Sequence, residues 1–166
     1  MTYRICVVCT GNICRSPMLE FLLREAVDRE GLTGQVEIDS AGTSAEEFGN
    51  PADARTLAVL TRNGHADWGG GAHRARRIER SWIAERDLIL AADSWHLRSL
   101  QRLAGDGERD HLRLIRSFDP EAVAAGTLDV DDPWYGRAAA FDQTYAEMQA
   151  AVPGIIAHVK NALAGG

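Results

Sequence analysis

Residues 87–92, Asp-Leu-Ile-Leu-Ala-Ala, form an apolar run too short for a helix and without the polar alternation of a strand that has one wet face. Such a run reads as a strand buried on both sides, the condition found in parallel sheets covered by helices. Residues 4–8, 36–40 and 112–115 supply three further short strands. Helical patterns alternate with them. Leu19, Leu22, Leu23, Ala26 and Val27 mark a helix over residues 16–30 that Gly31 closes. Residues 51–63 read as a helix opened by Pro51, and residues 94–103 as another. Phe141, Tyr145, Met148, Val152, Ile155, Ile156 and Val159 define a last one, which Pro153-Gly154 is expected to kink or split. The expectation is an α/β fold, one domain over residues 1–166, with a four-stranded parallel sheet covered by helices on both faces.

Composition agrees with that size and excludes several classes. The chain has 166 residues, 45% hydrophobic and 25% charged, enough for one proper core and unlike a disordered segment. No run approaches the ~18 apolar residues of a membrane helix. The formal net charge of −6 argues against a general nucleic-acid binder, which needs a basic stripe. Arg74, Arg76, Arg77 and Arg80 form a local excess that reads as a solvated helix face. Cys6, Cys9 and Cys14 crowd into the first fourteen residues, too clustered for a disulfide scaffold, and no signal-peptide pattern precedes them. A cytoplasmic setting is expected. No His/Cys cluster has ligand spacing, so neither a metal nor another cofactor is expected.

Residues 42–50, 68–73 and 119–136 are the least structured stretches, and ligands of open α/β sheets bind beyond the carboxyl ends of the strands. At the end of the first strand stands Cys9-Thr10-Gly11-Asn12-Ile13-Cys14-Arg15-Ser16-Pro17. A tight loop entering a helix turns successive N–H groups inward and makes a nest for a tetrahedral anion. Gly11 and Asn12 tolerate positive φ, and Arg15 returns over the cavity with a fork that grips two oxygens. Ser16 suits an N-cap and Pro17 the first helical position. Cys9 then lies on the floor of an electropositive cup that favours its thiolate, placed for in-line attack on phosphorus. Cys6 reads as core. The nucleotide-binding GxxxxGK[ST] loop is absent, and Lys160 is the sole lysine.

The same loop resembles the phosphate loop of the low-molecular-weight protein-tyrosine phosphatases, above all their bacterial branch. Asp39-Ser40-Ala41-Gly42-Thr43, Gly49-Asn50-Pro51-Ala52-Asp53, residues 87–93, Ser117-Phe118-Asp119-Pro120 and Asp131-Asp132-Pro133-Trp134-Tyr135-Gly136 resemble family segments in the same order. The resemblance implies hydrolysis of phosphotyrosine through a cysteinyl-phosphate on Cys9, with the phosphate held by residues 10–15 and clamped by Arg15. It implies Asp132 as general acid and then base, since the family's acid directly precedes proline; the neighbouring Asp131 competes on position alone. It implies that Asn12, Ser16, Ser40 and His73 brace the loop, and that Cys14 pairs reversibly with Cys9 on oxidation; simple packing of Cys14 is the alternative. Asp93 could equally cap the following helix, and Asp119 reads as structural.

Trp134 and Tyr135 are expected to wall the pocket beside Asp132. On the opposite lip the chain departs from the family: Glu46 stands where many members carry an aromatic residue, which should disfavour acidic phosphopeptides. Ile13 resembles the tyrosine-directed members, whereas a branch acting on phosphoarginine has Thr there. Arsenate reductases share the loop. A self-resolving version is excluded because residues 80–93 hold no cysteine; one resolved by an external thiol is the alternative activity. The implied partner is a tyrosine-phosphorylated protein, a bacterial tyrosine kinase or its substrates, met by a monomer.

Overall fold

A computed structural model describes residues 1–65 and 72–165. Its centre is the strand β1 (Tyr3–Cys9), flanked by β2 (Val36–Gly42) and β3 (Leu88–Ala91), with β4 (Leu112–Leu114) outside β3. All neighbours run parallel, in the order β2-β1-β3-β4. Register brings Cys9 opposite Gly42 and Val8 opposite Ala91, so the strands end together at one edge of the molecule. Strand alternation explains why the runs are apolar throughout. Ile5 and Val7 join one core with Leu88 and Leu90, while Cys6 and Val8 join a second with Ile89 and Ala91.

The first core is closed by α1 (Arg15–Arg29), α2 (Ala54–Arg62) and the long α6 (Ala138–Gly165); the second by α3 (Arg80–Glu85) and α4 (Ser94–Ala104). A short helix, α5 (Pro120–Ala125), follows β4 and a 3₁₀ turn at Ile115–Phe118. The expected α/β architecture is therefore present. The short α3 and α5 are hidden from sequence patterns, because six residues show no periodic stripe. Among the described residues no helix is long and apolar enough to cross a membrane.

Aspartates set several boundaries. Asp53 accepts the Arg55 N–H at 2.8 Å and starts α2, so Pro51 lies ahead of that helix rather than at its first turn. Asp119 caps α5 with Pro120 in the first turn, the structural role expected of it. Asp93 caps α4. Ser16 is not a cap: α1 opens at Arg15, and the Ser16 side chain is used elsewhere. The arginine cluster is also corrected. Only Arg80 is helical; residues 76–78 run beside the end of β2, where Gly42 N bonds Arg76 O at 2.7 Å and Ile78 N bonds Gly42 O at 2.8 Å. The expected loop 68–73 falls within the described residues only at 72–73.

Helix α6 continues through Pro153 instead of splitting there. Proline removes one N–H, but Val152, Ile155, Ile156 and Val159 are buried around it, and this packing holds the helix together. Gly154 permits a close approach: a Cβ there would lie 2.1 Å from the Phe118 carbonyl oxygen. Helix propensity alone would make Gly154→Ala stabilising by about 1 kcal/mol. We expect the clash to reverse the sign, lowering stability by about 1–3 kcal/mol in urea unfolding.

Candidate active site

The loop joining β1 to α1 is shaped by Asn12, the only non-glycine residue among the described ones with positive φ, at 60°. Its fully buried side chain is tied on every side. The amide N–H₂ donates to Ser16 Oγ at 2.8 Å and Ser40 Oγ at 2.9 Å, and Oδ1 accepts the Arg76 N–H at 3.0 Å. His73 Nε2 lies 2.7 Å from the Asn12 carbonyl oxygen. Ser40, having accepted from Asn12, donates onward to Glu20 Oε1 at 2.5 Å. The carboxylate of Glu20 is buried and is paired with Arg24 at 2.6 Å. Gly42 is required here by space, because a Cβ would stand 2.4 Å from the Thr10 carbonyl oxygen.

The hydrogen bonds converge on sulfur. Ser16 Oγ lies 3.0 Å from Cys9 Sγ, and the Ser16 N–H donates to the same sulfur at 3.4 Å. Since Ser16 Oγ already accepts from Asn12, its own hydrogen is free to donate to Cys9. Arg15 is buried to 3% of its side-chain exposure and arches over the loop. Its Nη1 donates to Asp93 Oδ2 at 2.9 Å and to the Val130 carbonyl at 2.7 Å. Nη2 lies 3.4 Å from Thr10 Oγ1 and 3.7 Å from Asp132 Oδ2. Asp93 thus both caps α4 and orients Arg15.

A cavity of about 260 Å³ opens over this arrangement. Cys9, Thr10, Gly11, Ile13, Cys14 and Arg15 form its floor; Glu46, Glu47, Asp132, Trp134 and Tyr135 stand around it. Asn12 does not line it but holds the floor from behind. Phe48 is exposed and stands away from it. Asp131 lines a different cavity, with Asp129 and Glu147, which separates it from Asp132. Cys9, Cys14 and Cys6 are free thiols. Burial, reinforced by the negative charge of Asp53, pushes the Cys14 thiol up. Burial likewise raises Cys6, consistent with a core residue.

Asp132 starts a 3₁₀ turn at Pro133–Tyr135, accepting the Trp134 N–H at 3.1 Å, and keeps 40% of its side chain exposed. The turn is fastened by Arg55, which donates to the Trp134 carbonyl at 3.0 Å and stacks between the Trp134 and Phe141 rings. Its guanidinium also grips Asp53 at 3.0 Å through two nitrogens. Burial opposes ionisation of Asp53, but these bonds outweigh it and hold the carboxyl below its usual range.

Five contributors escape the sequence patterns: Glu20, Glu47, Arg55, Arg76 and His96. His96 is buried at the third position of α4, with Nε2 2.8 Å from Thr10 Oγ1 and Nδ1 accepting the Asp93 N–H at 3.2 Å. Burial drives its pKa down to about 4, against the pull of Asp93 and with the help of Arg15. The spacing Asp93-x-x-His96 was the available signal, a capping box with an unusual third residue. Among the described residues no group of His, Cys, Asp and Glu is arranged to hold a metal ion.

Comparison with known proteins gives the family. The family described as low molecular weight phosphotyrosine protein phosphatase matches residues 4–164. A low molecular weight protein-tyrosine-phosphatase of Streptomyces coelicolor is 48% identical over 167 residues, covering 99% of this chain and 98% of the relative. Protein-tyrosine phosphatase A of Mycobacterium tuberculosis is 38% identical over 148 residues, 89% of this chain and 86% of the relative. Among solved structures, YfkJ from Bacillus subtilis matches with a TM-score of 0.88 at 27% identity, over 97% of this chain and 96% of that one. A protein tyrosine phosphatase from Entamoeba histolytica, with Hepes in its active site, matches equally well at 25% identity, over 97% of this chain and 99% of that one. The chain belongs to the low molecular weight phosphotyrosine protein phosphatases, a family of phosphoric monoester hydrolases.

Proposed function

We propose that the chain hydrolyses phosphotyrosine in proteins through a cysteinyl-phosphate on Cys9. The observation that carries this reading is the convergence of Cys9 Sγ, the Arg15 guanidinium and the Asp132 carboxyl on one cavity, with Asp132 3.7 Å from Arg15. In the first step the Cys9 thiolate attacks phosphorus. An S–P bond forms as the P–O ester bond breaks, and Asp132 gives its proton to the departing phenolate oxygen. In the second step the Asp132 carboxylate takes a proton from water as that water attacks phosphorus. The S–P bond breaks, releasing inorganic phosphate and restoring the thiolate. Loop N–H groups, the start of α1 and Arg15 stabilise the charge on the equatorial oxygens in both steps.

The pocket supports an aryl substrate. Trp134 and the 91% exposed Tyr135 offer a wall for a phenyl ring, and Ile13 gives the floor an apolar side. Glu46 and Glu47 face them and disfavour acidic neighbours of the phosphotyrosine. Cys14 borders the same cavity as Cys9, which supports a reversible disulfide between them under oxidation. The substrates in this reading are bacterial tyrosine-phosphorylated proteins, including a tyrosine kinase itself, met in the cytoplasm by a monomer.

Cys9→Ser should abolish turnover of phosphotyrosine while inorganic phosphate still binds, as measured by calorimetry. Asp132→Asn should slow turnover by about 10²–10⁴, with the smallest loss for esters of acidic phenols. Full activity of Asp132→Asn toward phosphotyrosine would show the acid to be another residue. Glu46→Trp should lower KM for aryl phosphates; an unchanged KM would mean that this lip does not touch the ring.

A further inference from the structure

The mechanism above leaves His96 without a role, although it is a buried imidazole 2.8 Å from a hydroxyl on the cavity floor. Its protonation can be read from its neighbours. The Asp93 N–H points at Nδ1, which must accept, and among the described residues it is the acceptor that N–H finds. Nδ1 also lies 3.0 Å from Asp93 Oδ1, but that oxygen already accepts the Trp95 and His96 N–H groups. With Nδ1 accepting, the ring carries its proton on Nε2 and donates it to Thr10 Oγ1, and burial favours this neutral form. Arg15 Nη2 approaches the same oxygen from 3.4 Å.

A hydroxyl oxygen that accepts from two donors cannot direct its own hydrogen at either of them. Thr10 is exposed and borders the cavity beside Cys9 and Arg15, so the remaining direction for that hydrogen is the cavity. We infer that His96 is a positioning residue that turns the Thr10 hydroxyl into a fixed donor to a non-bridging oxygen of the bound phosphoryl group. The loop then offers one side-chain O–H donor besides its backbone N–H groups and Arg15. Because the α4 cap holds His96, and Asp93 holds both that cap and Arg15, one aspartate orients both side-chain donors.

The inference rests on the phosphatase reading, and double-mutant analysis separates the two. Thr10→Val keeps the shape and removes the hydroxyl; His96→Leu removes the donor to it. His96→Gln retains a cap acceptor and an N–H donor, as glutamine does in ordinary capping boxes. The probe is inorganic phosphate, read as its competitive inhibition constant, alongside kcat/KM for phosphotyrosine. Thr10→Val and His96→Leu should each weaken phosphate about tenfold, the worth of one hydrogen bond to a charged group. The double variant should be no weaker than Thr10→Val alone, and His96→Gln should recover most of the affinity. A purely structural His96 would instead give losses that multiply in the double variant, which overturns the inference. Thr10→Val leaves the α4 cap intact, so unchanged phosphate affinity there overturns it even where His96→Leu proves unstable. Turnover by Cys9→Ser would sink the cysteinyl-phosphate mechanism, and an unmodified enzyme inert toward phosphotyrosine would sink the substrate reading; both results are independent of the Thr10–His96 coupling.

Discussion

The left-handed turn at Asn12 is the constraint on which the site depends. An asparagine at φ 60° is tolerated only when its side chain is held, and here it is held by Ser16, Ser40 and the Arg76 backbone. The turn brings the chain round so that Cys9 and the start of α1 face one point. The same amide sets the polarity of a longer relay. Each hydroxyl accepts from Asn12 and must send its own hydrogen onward, Ser16 toward Cys9 and Ser40 toward the buried Glu20 carboxylate. Glu20 is the negative end of that relay, and its pairing with Arg24 keeps a buried charge from standing alone.

Arg15 supplies the second constraint. A guanidinium so deeply buried is costly unless its donors are satisfied, and the fold satisfies Nη1 from two distant segments, Asp93 after β3 and Val130 in the loop that carries Asp132. The Val130 N–H in turn bonds the Ala92 carbonyl at 2.9 Å. The loop after β1, the sheet edge and the loop carrying Asp132 are thereby fixed to one another through a single side chain. Arg55 does similar work on the far side, where its stacking against Trp134 and Phe141 and its fork on Asp53 anchor the turn that carries Asp132. Orientation of Asp132 is thus a property of the packed body and not of the loop sequence alone.

What the sequence discloses and what it hides follow from the range of the interactions. The strands are legible because burial on both faces leaves uninterrupted apolar runs, and the loop is legible because glycine, asparagine, serine and proline state their turn chemistry locally. Boundaries shift where a side chain is claimed by a distant partner: Ser16 looks like a cap but is taken by Cys9 and Asn12. Glu20 reads as one more charge on a helix until Ser40, twenty residues away, is placed against it. Arg76 and His96 are illegible for the same reason, since their partners Asn12 and Thr10 come into reach only when the sheet assembles. Proline 153 misleads in the other direction, because helix-breaking is a local tendency that the packing of α6 overrides.

If one sulfur accepts the phosphoryl group, the intermediate can be trapped on it. Rapid acid quench of Asp132→Asn with an aryl phosphate of good leaving group, followed by digestion and mass spectrometry, should find one phosphoryl group on the peptide containing Cys9. A burst of phenol equal to the enzyme present should accompany it. A burst without modification of Cys9, or a phosphoryl group on any other residue, would contradict the account.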